Sequence, residues 1–371
     1  MWNIKQNLKQ WLGIILIGSI MLLFSVYNMF QSPKDYSSTE RRKLAKLPDL
    51  TIGNFIRDGI SDEFEKYSMD QFPLREGFRR LKSLTQYYLL AQKDNHGIYL
   101  EDGYVAKLTY PLNFDSINYA LERFSWIYTN YLEGKDINIY SAVVPDKSYF
   151  LAGKNGYPVM NYEELFHTVK DGMPYARFID IAGKLTISDY YRTDTHWRQE
   201  KLLSVAELIA KNIGFTIKPS TNYQELSINT PFFGVYYGQL ALPLKSDEIH
   251  IMTNELLEQC TVYNYETNQT TKIYDMEKLK SVDAYEIFLS GAAPLIQINN
   301  PNANTDKELI LFRDSYGSSL APLLVEGYKT ITLVDIRYIK SDLLSEYITF
   351  QNQDVLFLYS TLVLNNSYSL K

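Results

Sequence analysis

Two short motifs hold the side chains of this chain that could do acyl-transfer chemistry. Asp194 and His196 lie two residues apart, and Ser315 follows an apolar run on a turn that contains Gly317. Serine acyl transfer needs a nucleophile, a base and an acid that orients the base. We therefore predict a triad of Ser315, His196 and Asp194. The chain has only 4 histidines, so few other bases are available.

Each motif also has a plainer interpretation. An aspartate-serine pair before a helix is a common N-cap. The Asp194–His196 pair could instead be two metal ligands, but no further cluster with ligand spacing stands out in the sequence. We predict neither a metal nor an organic cofactor.

The elements that must position these motifs alternate between strands and helices from about residue 113 onward. The predicted strands are 137–144, 178–181, 309–312, 330–334 and 354–359, and the predicted helices are 115–132, 199–213, 319–325 and 341–348. This order predicts an α/β fold with a mainly parallel sheet flanked by helices on both faces. Ser315 would then lie at the carboxyl edge of the sheet, where ligands bind. Residues 215–285 interrupt this alternation of strands and helices and are predicted to be an inserted β-rich region.

The N-terminal residues 1–32 are predicted to form a signal anchor and transmembrane helix. No charged residue occurs from Gln10 to Ser32, and about 20 apolar residues span a bilayer as a helix. A buried core helix is the alternative. Residues 33–50 are predicted to be a tether, and residues 51–371 the catalytic domain.

The orientation in the membrane follows from charged residues on either side of this helix. The short tail with Lys5 and Lys9 favours an N-terminus that stays inside, although the larger number of basic residues after the helix favours the reverse. We predict a single-pass cell-membrane protein with an extracytoplasmic body.

Composition narrows the possible partners. The net charge of -6 argues against nucleic-acid binding. Cys260 is the only cysteine, which excludes an internal disulfide, and we predict that it is a buried thiol.

Residues 194–197 resemble the signature of the bacterial DHHW protein family and are similar to the alginate O-acetylation proteins AlgX and AlgJ. Further similar segments are 64–67, 70–75, 95–99, 102–104, 288–291, 313–316 and 335–338. The resemblance implies an SGNH hydrolase-like domain in which Asp194, His196 and Ser315 form the triad.

Two positions depart from the family pattern. Thr195 stands where the family name implies a histidine. In this respect the chain resembles the alginate branch instead. Ala292 stands where relatives have an asparagine that could donate to an oxyanion. Losing one such donor typically lowers turnover by about 100-fold to 1,000-fold. The remaining candidate donors are the backbone N–H groups of Ser315 and Gly291.

Several side chains are candidates for substrate binding. Arg313 and Arg337 could hold an acidic sugar or form ordinary surface salt bridges, and Lys147 could line the cleft or lie on a solvated turn. Trp197 could brace the histidine loop. The candidates for substrate contact are Arg313, Arg337, Lys147, Tyr316 and Trp197, and Tyr236 and Tyr237 could stack on sugar rings or serve as cross-strand packing.

These observations and the resemblance together predict a membrane-anchored serine acyltransferase or esterase that acts on O-acetyl groups of a cell-surface polysaccharide. The resemblance favours transfer, with a membrane-bound O-acyltransferase as the acetyl donor. One alternative is a catalytically weak scaffold or polysaccharide-binding subunit of a glycan export complex. A lipase-like hydrolase is another.

Overall fold

The computed structural model describes residues 2–37, 39–49, 51, 59–218 and 223–371, with backbone alone for residues 2–9 and 29. Contacts divide the chain into one unit of residues 1–92 with 241–243 and a second unit of residues 93–240 with 244–371. The boundary thus falls after Gln92, whereas the sequence placed the start of the catalytic domain at residue 51. Residues 52–58 of that predicted domain, and 219–222 of the predicted β-rich region, lie outside the described residues.

The first unit is mainly helical. Its elements are α1 (Trp2–Phe30), β1 (Tyr36–Ser37), β2 (Arg42–Lys43), α2 (Ile60–Asp70) and α3 (Arg75–Leu84). Within α1, Gln10–Asn28 is long and apolar enough to cross a membrane, and none of that window is buried. The core-helix alternative therefore does not fit. A membrane anchor and a signal sequence share this length and composition.

The predicted tether is held by two polar residues of the same unit. Asp70 accepts hydrogen bonds from the Arg42 guanidinium and from the backbone N–H of Ala45. Gln71 is buried and bonds the N–H and the carbonyl of Lys34. Buried polar groups are costly unless they are bonded, so these contacts fix residues 34–45 against the end of α2.

The second unit is built on an eight-stranded sheet. In chain order its strands and those of the smaller sheets are β3 (Asp94–Asn95), β4 (Ile98–Glu101), β5 (Tyr104–Lys107), β6 (Asn138–Val144), β7 (Arg177–Phe178), β8 (Gln224–Phe232), β9 (Asp247–Thr253), β10 (Thr261–Asn264), β11 (Gln269–Thr271), β12 (Leu295–Asn299), β13 (Glu308–Arg313), β14 (Thr330–Val334) and β15 (Asp354–Ser360). The large sheet has the order β11-β10-β12-β14-β13-β15-β6-β7. Strands β14, β13, β15, β6 and β7 are parallel, which confirms the predicted mainly parallel sheet.

Helices cover both faces of this sheet. The helices of the second unit are α4 (Phe114–Ile127), α5 (Lys147–Leu151), α6 (Tyr162–Gly172), α7 (Leu203–Ile213), α8 (Val235–Leu240), α9 (Glu255–Gln259), α10 (Gly317–Leu320) and α11 (Thr361–Leu364). Alternate residues of β13 divide the core: Leu309 and Leu311 pack with α7, and Ile310 and Phe312 pack with α4. Both faces of the central strand are therefore buried, as expected for a parallel strand.

Some predicted helices are shorter or tighter than expected. The predicted helix 319–325 is α10 followed by a 3₁₀ stretch, Ala321–Gly327, with a proline near its start. Proline has no N–H to donate and disfavours continuation of an α-helix. The predicted helix 341–348 is a 3₁₀ segment, Ser341–Glu346.

The predicted β-rich region contains two hairpins, one outside the large sheet and one that belongs to it. Strands β8 and β9 pair only with each other among the described residues. Strands β10 and β11 instead extend the large sheet, because β10 pairs antiparallel with β12. This region therefore contributes strands to the central sheet as well as a separate hairpin.

Candidate active site

Ser315 lies on the turn between β13 and α10, at the carboxyl edge of the parallel strands. Asp314 fixes the turn, since one carboxylate oxygen accepts the N–H of Tyr316 at 3.0 Å and the other accepts the N–H of Ser360 at 2.7 Å. A Cβ on Gly317 would lie 2.7 Å from Cβ of Arg313, so the turn requires glycine there. Ser315 is partly exposed while its neighbours on the turn are buried.

The loop that carries Asp194 and His196 brings both side chains to this serine. Nε2 of His196 lies 2.8 Å from Oγ of Ser315, and Nδ1 lies 2.6 Å from Oδ1 of Asp194. Asp194 is fully buried, and its Oδ2 accepts the N–H of Val235 at 2.8 Å. The three residues thus form one continuous chain of polar contacts that ends at a partly exposed hydroxyl.

A second set of hydrogen bonds, made by Asp247 and Gly234, holds the backbone of the histidine loop. The carboxylate of Asp247 accepts the N–H of Arg192 at 2.8 Å and the N–H of Thr193 at 2.7 Å. The N–H of Gly234 in turn donates to Oγ1 of Thr193 at 2.9 Å. The backbone on both sides of Asp194 is therefore anchored by the β8–β9 hairpin and the segment that joins its strands.

We expect Gly234→Ala to destabilise the protein and to lower its activity. A Cβ at position 234 would lie 2.2 Å from Cα of Asp194, which is a backbone atom that cannot rotate away. Overpacking of this kind typically costs about 1–3 kcal/mol. Urea unfolding measures the loss of stability. Gly183→Ala is the matched control, because nothing lies within 4 Å of a Cβ there, and an equal effect of the two substitutions would contradict the close approach.

Tyr285, an aromatic residue that the sequence analysis did not single out, fixes the plane of the imidazole. The ring of Tyr285 stacks on the ring of His196 with centroids 3.8 Å apart and an interplanar angle of 6°. The Tyr285 hydroxyl donates to Oγ of Ser319 at 2.9 Å. Tyr285 lies about ninety residues from His196 in the chain and in no recognisable motif, so the sequence carried no signal for this contact.

Trp197 and Tyr316 lie in the wall of the site rather than at its surface. Trp197 is fully buried, and its indole N–H donates to the carbonyl of Tyr316 at 3.1 Å and to Oγ of Ser319 at 2.9 Å. Tyr316 is also buried, and its hydroxyl donates to the carbonyl of Thr195 at 2.6 Å. These bonds tie the histidine loop to the serine turn. The prediction that Trp197 and Tyr316 contact the substrate is therefore wrong, because neither side chain is accessible.

The two arginine candidates have different environments. Arg313 is fully buried, its Nη1 lies 3.8 Å from Oδ2 of Asp335, and burial lowers its pKa. Arg337 is half-buried, and its guanidinium donates to both oxygens of Asp335 at 2.8 and 2.6 Å. Arg313 is therefore neither a sugar ligand nor a surface arginine. Arg337 is already engaged by a carboxylate.

Lys147 is buried against the histidine loop instead of lying on a solvated turn. Its ammonium donates to the carbonyls of Tyr191 and Arg192 at 3.0 and 3.2 Å and lies 5.1 Å from the ring centroid of Tyr236. Burial lowers the pKa of Lys147 to about 7. Tyr236 is itself buried, which removes it as an accessible stacking platform, whereas Tyr237 is half-buried.

Lys147→Met should remove a pH-dependent part of the stability. Because the folded-state pKa of about 7 lies below the ordinary value of 10.5, the unfolded chain binds this proton more tightly between those values. Stability of the wild type should therefore rise from about pH 7 to about pH 10, and the variant should show a smaller rise. Denaturant unfolding across this range tests the slope. The exposed Lys154 gives the control, Lys154→Met, which should keep the wild-type slope.

The candidate oxyanion donors are not equivalent. Among the described residues the N–H of Ser315 has no acceptor, so it can donate into the site. The N–H of Gly291 already donates to the carbonyl of Phe288 at 3.2 Å. Ala292 is exposed and has no donor on its side chain. The geometry therefore supports Ser315, and not Gly291, as a backbone donor to an oxyanion.

The contacts of Asp194 and His196 also bear on the metal alternative. Both oxygens of Asp194 accept N–H groups, and both ring nitrogens of His196 have partners. The atoms that a metal would need are thus already in use. With Asp194 next to Nδ1, the favoured tautomer leaves Nε2 as the acceptor for the serine proton.

Comparison with known proteins identifies the family of this region. Residues 183–334 match the DHHW protein family. The chain therefore contains a region that is similar to the DHHW family. This region includes Asp194, His196 and Ser315, and the predicted resemblance to the DHHW family is confirmed. No curated protein matches the chain.

Solved structures share the fold of this DHHW-family region and its surroundings. A DHHW family protein from Eubacterium siraeum DSM 15702 has a TM-score of 0.60 and 21% identity, with 74% of this chain and 94% of that chain covered. Bacillus cereus PatB1 with a sulfonyl adduct has a TM-score of 0.58 and 18% identity, and the match covers 72% of this chain and 95% of that chain. At these identities the likeness shows the fold. The O-acetyltransferase domain of Pseudomonas putida AlgJ is less similar, with a TM-score of 0.45 and 12% identity, and the match covers 72% of this chain and 92% of that chain.

Proposed function

We propose that this protein is a membrane-anchored, extracytoplasmic serine O-acyltransferase or esterase that acts on the O-acetyl groups of a cell-surface polysaccharide. The observation that carries the proposal is the pair of distances at His196, 2.8 Å to Oγ of Ser315 and 2.6 Å to Oδ1 of Asp194. A nucleophile, a base and an orienting acid in this order are the parts that acyl transfer requires.

In the first half-reaction, Oγ of Ser315 attacks the acetyl carbonyl while Nε2 of His196 accepts the hydroxyl proton. The carbonyl oxygen becomes an oxyanion that the N–H of Ser315 stabilises. Collapse of the tetrahedral intermediate breaks the bond to the donor alcohol, which leaves with the proton from His196. The product is an acetyl ester on Ser315.

In the second half-reaction, an acceptor hydroxyl attacks this ester and gives its proton to Nε2 of His196. Collapse releases the acetylated acceptor, and the proton returns to Oγ of Ser315. A sugar hydroxyl as acceptor gives transfer, and water gives hydrolysis. Asp194 keeps Nδ1 protonated and stabilises the imidazolium in both halves.

Two further observations support this reaction class. PatB1, which shares the fold, has been obtained with a sulfonyl adduct, and sulfonyl electrophiles are trapped by activated nucleophiles. The resemblance to alginate O-acetylation proteins supports a polysaccharide acceptor and a membrane-bound O-acyltransferase as donor. The apolar helix at Gln10–Asn28 supports a membrane anchor that places the body near such a donor.

Turnover of 4-nitrophenyl acetate by the full-length chain in detergent tests the proposal. We expect release of 4-nitrophenol by the wild type and its loss in both Ser315→Ala and His196→Ala. Addition of oligosaccharides, with mass spectrometry of the products, separates transfer from hydrolysis. Turnover that survives both substitutions would reject the proposed site.

The oxyanion donors favour a second candidate function, a catalytically weak polysaccharide-binding subunit. The N–H of Gly291 is engaged by Phe288, and Ala292 offers no side-chain donor. Under this alternative the wild type would bind polysaccharide but would not release 4-nitrophenol. Ala292→Asn then gives a direct comparison, because a restored donor should raise turnover only if the rest of the site is competent.

A further inference from the structure

A cluster of ligand-type side chains lies where the β8–β9 hairpin packs near the segment that follows the histidine loop. It comprises Glu200, Glu225 and His250, and one ligand atom from each lies within 4.8 Å of the others. Glu200 is on the 3₁₀ segment Gln199–Lys201, four residues after His196. No step of the proposed reaction uses these three residues.

Strand pairing explains why the hairpin presents two of them together. Ser227 on β8 is the register partner of His250 on β9. Glu225 is two residues before Ser227, so it points to the same face of the hairpin and is a diagonal neighbour of His250. Nδ1 of His250 lies 2.6 Å from Oε1 of Glu225.

The carboxylate of Glu200 is a second observation that points to a ligand in this cluster. Its side chain is 0% exposed, and neither oxygen accepts a hydrogen bond. Nε of Arg198 forms an ion pair with Oε1 at 2.6 Å, without hydrogen-bond geometry, while Oε2 has no hydrogen-bond partner among the described residues. Nδ1 of His250 is likewise buried and makes no hydrogen bond despite its proximity to Glu225. Such donors and acceptors normally have partners.

The charges around the cluster are unbalanced. Glu248 is a third carboxylate, with Oε2 3.5 Å from Nε2 of His250. Three carboxylates therefore face one guanidinium, that of Arg198, and one imidazole. With the imidazole neutral, the group carries two net negative charges, which is the charge that a divalent cation would offset.

We propose that Glu200, Glu225 and His250 bind a divalent transition-metal ion of the zinc class. An imidazole nitrogen with two carboxylate oxygens is a ligand set that Zn²⁺ accepts. Ca²⁺ and Mg²⁺ take oxygen ligands and are disfavoured by the imidazole. The half-exposed side chain of Glu225 can move. This movement would bring the ligand separations, which range up to 4.8 Å, to the roughly 3.4 Å of a tetrahedral site with bonds near 2.1 Å.

A metal in this position would connect the β8–β9 hairpin to the chain just after His196. Glu225 and His250 come from the hairpin, and Glu200 comes from the segment that follows the loop. We therefore assign the ion the role of stabilising the loop, and no step of the proposed reaction involves it. Its occupancy should be visible in binding and in thermal unfolding, whether or not the protein turns over an ester.

The test is a titration of the tag-free, full-length chain in detergent with ZnCl₂ after treatment with a chelator. Isothermal titration calorimetry should show one saturable site, and the melting temperature should rise with Zn²⁺ and fall again with EDTA. We expect Glu225→Gln and His250→Gln to weaken Zn²⁺ binding by at least about 100-fold. Glu225 is half-exposed, and glutamine at position 250 keeps a polar side chain of similar size in place of the partly buried His250, so these variants should fold.

Two controls separate this site from other histidine-containing positions. His167→Gln should leave Zn²⁺ binding unchanged, because His167 is exposed and lies elsewhere in the fold. His196→Ala should also leave it unchanged, because His196 belongs to the serine site. Equal binding by the wild type and the Glu225→Gln and His250→Gln variants would overturn the proposal, as would a loss of binding in His196→Ala alone or the absence of a saturable site.

Discussion

Ser315→Ala is expected to lower the turnover of acetyl esters by about four to six orders of magnitude, the range seen when the nucleophile of a serine triad is removed. The reason is that Nε2 of His196 lies 2.8 Å from Oγ of Ser315, a hydroxyl that is partly exposed to an incoming ester. Without it, no covalent intermediate forms. The residual rate would come from binding and oxyanion stabilisation alone.

The matched control for this substitution is Ser318→Ala. Ser318 is buried on α10, three residues after Ser315, and its backbone N–H donates to the carbonyl of Ser315. Replacing Ser318 with alanine also removes one serine hydroxyl, but it leaves the contact between the imidazole and Ser315 in place. Steady-state kinetics should therefore show near wild-type turnover for Ser318→Ala. Similar losses for the two variants would indicate that the turn, and not the nucleophile, had been damaged.

Asp194→Asn is expected to lower kcat by about 10⁴-fold, with a smaller effect on substrate binding. Oδ1 of Asp194 accepts both the backbone N–H of His196 and its Nδ1–H. An amide in this position does not carry the negative charge that stabilises the imidazolium, and it permits the wrong tautomer. The loss should therefore appear in kcat and should not be recovered by raising the substrate concentration.

Asp247→Asn provides the comparison that separates orientation of the imidazole from support of the loop. Asp247 accepts the N–H groups of Arg192 and Thr193 but does not contact His196. We expect it to lower stability in urea unfolding more than it lowers kcat, the opposite of Asp194→Asn. If the two variants lose kcat equally, the carboxylate of Asp194 acts only as a structural anchor.

Much of the candidate site was predictable because its geometry is local or follows from the sheet. A parallel strand that ends at a turn places Ser315 at the carboxyl edge by construction. A separation of two residues lets the Asp194 carboxylate fold back onto the His196 ring. The side chains that hold these groups were not predictable, because Tyr285 and Asp247 reach the site through long-range contacts that leave no spacing in the sequence.

The errors in the substrate-contact candidates have a shared cause. Arg313, Lys147 and Tyr316 carry polar groups and lie near strand ends, which suggested an accessible cleft. The structure buries all three because those groups satisfy backbone carbonyls or face a buried carboxylate. Charge alone does not predict exposure when a neighbouring element can supply a partner.

The most direct test of the proposed acyl-transfer function is to identify the residue that a sulfonyl electrophile modifies. The full-length chain in detergent would be treated with phenylmethylsulfonyl fluoride, followed by intact-mass measurement and peptide mapping. We predict one adduct per chain, located on Ser315, with loss of ester turnover in proportion to labelling and no labelling of Ser315→Ala or His196→Ala. An adduct on another residue that accompanies the loss of turnover, or full turnover by a chain labelled at Ser315, would contradict the assignment of Ser315 as the nucleophile.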